Sequence, residues 1–134
     1  MSDRGRHGRT EVNRGPTINQ QRLEELRAIR SPGRPSLLER VVRLFEQESA
    51  ELLSRLEDAI ERGHAEEVRA AAHKFKSVSG NVGAEALAAS CLELEQRGRE
   101  GRLDDGAAIL DEMRSEHARA SAALSSELSR TSGD

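Results

Sequence analysis

From Ser36 to Leu128 the apolar residues return every three or four positions and nowhere alternate, which leaves helices as the regular structure this chain builds. Leu38, Val41, Val42, Phe45, Leu52, Leu56, Ala59 and Ile60 mark a helix over about 36–62. Ser36 serves as N-cap with Glu39 three residues on, and Gly63 stands at the C′ position. Val68, Ala71, Ala72, Phe75 and Val78 give a helix from about Ala65, closed by Gly83. Leu87, Cys91 and Leu94 give another over about 84–97, ending at Gly98. Ala107, Leu110, Met113, Ala120 and Leu124 carry a last one to about 128, with Asp104 or Asp105 as its cap. Before them Leu23, Leu26 and Ile29 imply a short amphipathic helix over 19–30, stopped by the two prolines of SPGRP, residues 31–35. Four substantial helices with short connections predict an all-α, antiparallel up-down-up-down four-helix bundle, with the short N-terminal helix across one end.

The 134 residues suffice for one such core and contain no internal repeat. Tryptophan and tyrosine are absent and there are two phenylalanines, so the packing is aliphatic. Residues 1–18, rich in Arg and Gly, read as a disordered tail, and 19–134 as the domain, with its core at 36–128. Residues 1–35 hold eight arginines against four acidic residues, whereas 36–134 hold thirteen basic against twenty acidic. An acidic domain lacks the basic face that nucleic-acid binding needs. No apolar run reaches membrane-spanning length and no signal-peptide core is present, so a cytoplasmic protein without a membrane segment is expected. The single cysteine, Cys91, has no disulfide partner and reads as a buried small hydrophobe. No metal site of the chain's own is expected, and LDDG at 103–106 lacks the spaced ligands of a calcium loop.

One face of the third helix, the one from about Ala65, is unusual. On a helical wheel Arg69, Ala70, His73, Lys76, Ser77 and Gly80 share an outward stripe, so His73 stands exposed among small and basic neighbours. Gly80 costs roughly 1 kcal/mol relative to Ala inside a helix, which calls for close approach of something to this face or an early helix end. His7, His64 and His117 carry no comparable context and are expected in structural or solvated roles.

HKFKSVSGNVGAEALAASCLELEQRGR, residues 73–99, resembles the signature of histidine-containing phosphotransfer (HPt) domains: His73, apolar Phe75, Lys76, small residues including Gly80, and Gly83 ten positions after the histidine. The resemblance extends over about 36–128. Ser77 departs from it, standing where the family usually has glycine. The resemblance implies a four-helix phosphocarrier in two-component signal transduction, not an autonomous enzyme, in which His73 accepts a phosphoryl group from one receiver aspartate and passes it to another. It implies that Lys76 stabilises the phosphoryl charge and that Ala70, Lys74, Ser77, Gly80, Glu95 and Arg99 meet the partner. Glu95 would orient the imidazole or else be a solvated helix residue. Expected partners are a response-regulator receiver domain and a hybrid sensor histidine kinase. Mg²⁺ would be supplied by the receiver, and the carrier itself would be a monomer without a cofactor. The absence of Walker and kinase glycine-loop motifs accords with a carrier. A helical adaptor that docks on receivers without phosphotransfer is the alternative.

Overall fold

The structure is a computed structural model that describes residues 17–29, 32–34 and 36–133. It contains α1 (Gln20–Ala28), α2 (Leu37–Arg62), α3 (Ala65–Asn81), α4 (Glu85–Glu100) and α5 (Gly106–Gly133). There is no strand among the described residues. α2 packs on α3, α3 on α4, α4 on α5, and α5 back on α2, so the four long helices close a ring and α1 lies against α2. This is the expected bundle.

Local chemistry explains most helix ends. Ser36 Oγ accepts from Glu39 N at 3.1 Å, while the Glu39 carboxylate turns to Arg43, so only half of a capping box forms. Gly63 ends α2 in the left-handed conformation that costs glycine nothing, and Gly83, at φ 78°, makes the turn after α3. Three boundaries differ from expectation, one of them that α5 runs on to Gly133 rather than ending near 128. α4 passes through Gly98 and ends at Gly101, φ 72°, because Gly98 is spent on packing inside the helix. α1 stops at Ala28, leaving Ile29 extended and exposed. At the entry to α5, the Asp105 carboxylate is held by Arg97 Nε at 3.0 and 3.1 Å.

The core joins all five helices, with Phe45, Phe75, Leu56, Leu94, Ile109 and Leu124 fully buried. Burying each such side chain contributes about 1.5–3 kcal/mol. The expected tail boundary falls too late, because Ile18 is 4% exposed and packs into this core; residues 1–16 lie outside the described residues. Asn19 N donates to Gly83 O at 2.8 Å and Arg27 reaches Glu127 on α5 at 2.7 Å, which fixes α1 beside the α3–α4 turn. His117 is half-buried, with its ring centroid 5.3 Å from that of Phe45 and 6.5 Å from that of Phe75. Burial lowers its pKa, partly opposed by Glu46, so it favours the neutral ring. Burial pushes the Cys91 thiol far up, which keeps it protonated. No described helix is long and apolar enough to cross a membrane.

Candidate functional site

α3 carries its apolar residues, Val68, Ala71, Ala72, Phe75 and Val78, inward, and this packing turns His73 outward. The His73 side chain is 58% exposed. Gly80 has open space where a Cβ would stand, so nothing in the fold approaches it; the glycine leaves the face bare. Ser77 is exposed and Ala70 half-buried on the same stripe.

The polar centre lies one helix away. Glu95 of α4 is 2% exposed, and its two oxygens collect three groups. Oε2 lies 3.0 Å from His73 Nδ1 and 3.0 Å from an Arg99 guanidinium nitrogen; Oε1 lies 2.9 Å from Lys76 Nζ, in charge contact without hydrogen-bond alignment. Burial by itself would raise the Glu95 pKa, but the Lys76 ammonium and the His73 imidazole outweigh it and hold the carboxyl below its ordinary range. A carboxylate only accepts hydrogen bonds. His73 Nδ1 is therefore the donor, and in the neutral ring the lone pair sits on Nε2.

Glu95 is thus too buried for a docking contact or a solvated residue, and its bond to the imidazole is the other arrangement expected of it. It supports the site from beneath, because position 95 follows Cys91 by four residues and so falls on the buried side of α4. The expected basic surface is also largely neutralised. Lys74 pairs with Glu48 at 3.3 Å, Arg69 with Glu66 at 2.6 Å, and Lys76 and Arg99 share Glu95. Four cations face three carboxylates, so little net charge remains. Sequence reasoning missed Glu48 and Gly98. The signal for Gly98 was present, since it continues the buried stripe Leu87, Cys91, Leu94 at the next helical step. Among the described residues no cluster of three metal-ligating side chains occurs.

A histidine standing clear on a four-helix bundle, with lysine one turn on, defines the class, and comparison with known proteins agrees. The model of the Hpt domain family matches residues 40–123, and the chain belongs to that family. The chain is 26% identical over 99 residues to histidine-containing phosphotransfer protein 4 of Arabidopsis thaliana, covering 72% of this chain and 78% of the relative. The crystal structure of histidine-containing phosphotransfer protein B from Pseudomonas aeruginosa PAO1 superposes with a TM-score of 0.78 at 30% identity, over 87% of this chain and 97% of that one. Histidine-containing phosphotransfer protein MtHPt2 from Medicago truncatula, at 20% identity, shares the fold with a TM-score of 0.70 over 97% of this chain and 92% of that one. Domains of this family are phosphocarriers that work with receiver domains and histidine kinases in phosphorelays.

Proposed function

We propose that this protein carries a phosphoryl group between receiver-domain aspartates, on Nε2 of His73. The observation that carries the reading is the 3.0 Å bond between His73 Nδ1 and the buried Glu95 carboxylate on an otherwise open helix face. It leaves one ring nitrogen free and orients it. The Nε2 lone pair attacks the phosphorus of an aspartyl phosphate, and the phosphorus–oxygen bond breaks with its electrons passing to the aspartate carboxylate. The ring becomes a phosphoimidazolium whose Nδ1 proton never leaves, and Glu95 balances the new positive charge. In the return step the phosphorus–nitrogen bond breaks, its electron pair goes back to Nε2, and neutral imidazole is restored. No proton has to move in either direction.

Phosphoryl transfer of this kind proceeds through a loose transition state, where in-line positioning and charge neutralisation do most of the work. Lys76 is one turn from His73 and 31% exposed, so its ammonium can turn from Glu95 toward the phosphoryl oxygens. Ser77 and Gly80 keep the approach low, and Ala70, Lys74 and Arg99 border it. The acidic cluster and Mg²⁺ belong to the receiver, a hybrid sensor histidine kinase feeds the relay, and the carrier works as a cytoplasmic monomer. A phosphorylated receiver domain, mixed with the protein, should pass its label to the wild type in acid-labile form. His73→Gln should take up none, with helicity by circular dichroism unchanged. Equal labelling of the two would overturn the proposal, and binding to the receiver without any labelling of His73 would favour the docking adaptor.

A further inference from the structure

Gly98 lies inside α4 and is buried, where glycine costs roughly 1 kcal/mol relative to alanine. The reason is contact with the backbone of α3. A Cβ built on Gly98 would stand 2.7 Å from Arg69 N, 2.8 Å from Ala65 O and 3.0 Å from Arg69 Cα. These are main-chain atoms of a helix and cannot rotate aside. Any side chain at 98 therefore forces the two helices apart, by roughly half an ångström or more, since the residues at the contact set interaxial distance.

The contact stands one turn from the polar centre on both helices. Gly98 follows Glu95 by three residues, and Arg69 precedes His73 by four. The bond from His73 Nδ1 to Glu95 spans the same pair of helices at 3.0 Å, and the Lys76 contact spans it at 2.9 Å. Such bonds weaken quickly with stretching and are lost by about 3.6 Å. We infer that Gly98 is a positioning residue for phosphotransfer: its missing side chain sets the α3–α4 spacing that lets Glu95 hold the His73 imidazole. This rests on the reading of His73 as the phosphoacceptor.

The test uses Gly98→Ala, with Leu124→Ala, a core truncation on α5, as the control for general destabilisation, and His73→Gln as the control for the acceptor. The probe is phosphoramidate, a small phosphodonor that needs no docking and loses ammonia as the phosphorus–nitrogen bond to His73 forms. Imidazole ¹⁵N shifts report which ring nitrogen holds the proton. Gly98→Ala should lower the rate of His73 phosphorylation roughly tenfold, given that a 1 Å misplacement can cost about a hundredfold. It should also mix the two tautomers, whereas Leu124→Ala should leave both readouts at wild-type values. In a Glu95→Ala background Gly98→Ala should slow the reaction no further. If Gly98→Ala is partly unfolded, trimethylamine N-oxide restores the folded state and the rate is read per folded molecule. Wild-type rate and tautomer in folded Gly98→Ala, or the same loss in Leu124→Ala, would overturn the inference. Labelling of His73→Gln equal to wild type would instead remove the phosphoacceptor reading beneath it.

Discussion

Glu95→Gln probes the centre of the site, because the amide keeps the shape of the side chain and removes its charge. Three partners lie within 3.0 Å of the carboxylate, two of them hydrogen-bonded to it, and hydrogen bonds to charged groups contribute about 1.5–3 kcal/mol each. Two corrections reduce that figure. Burial of the carboxylate opposes the gain, and its partners can recover water when it is neutralised, His73 and Arg99 being 58% exposed and Lys76 31%. The penalty of 3–5 kcal/mol for stranding a buried charge therefore does not apply, and a net loss of about 1–2 kcal/mol is expected at pH 7. The pKa gives the same sign independently. A carboxyl held below its ordinary value in the folded state contributes stability above the unfolded pKa and loses it as pH falls through the folded one. The gap between wild type and Glu95→Gln should therefore be full at pH 7 and shrink on acidification below pH 4.5, as Glu95 itself takes up a proton. Urea unfolding followed by helical circular dichroism at several pH values measures this gap. A variant as stable as wild type at pH 7, or a gap that does not change with pH, would show that the carboxylate is not held in its charged form by these partners.

Gly80→Ala should stabilise the fold by no more than about 0.5 kcal/mol, since a Cβ there meets open space and alanine is the better helix former, but Gly80 is the last residue but one of α3 and not in its interior. It should slow transfer from a phosphorylated receiver while leaving labelling by phosphoramidate unchanged, and equal effects on both donors would show that the bare face is not a docking requirement. His117 is held toward its neutral form by burial between Phe45 and Phe75, so the unfolded state binds its proton more tightly. Stability should rise with pH between the lowered folded pKa and the unfolded value of about 6.5, by no more than about 1.4 kcal/mol per pH unit. Replacement by phenylalanine should remove that slope in thermal melts recorded from pH 5 to 7.5.

The bundle was legible because its cause is written locally. A period of three to four, a serine cap at 36 and a glycine at 63 act within one turn of themselves. His73 was legible for the same reason: its exposure follows from the wheel of α3 alone. Glu95 stayed open between two readings, and Gly98 read as a helix end, because their meaning depends on which helix lies opposite. A glutamate four residues after Cys91 breaks an apolar stripe, and nothing in α4 tells whether cations wait across the interface to hold it in its charged form. A glycine near the end of a helical run reads as a stop, and only the backbone of Ala65 and Arg69 pressing on it gives it another purpose. The two residues sit one turn apart on the same face, and one explanation covers both. A buried carboxylate can reach a histidine on a neighbouring helix when the helix backbones pack close, and a residue without a side chain permits that approach. Burial without Gly98 would leave Glu95 short of His73, and close packing without Glu95 would leave the imidazole unoriented. Substitution at either position should therefore produce the same change in the tautomer of His73, and the two changes should not add.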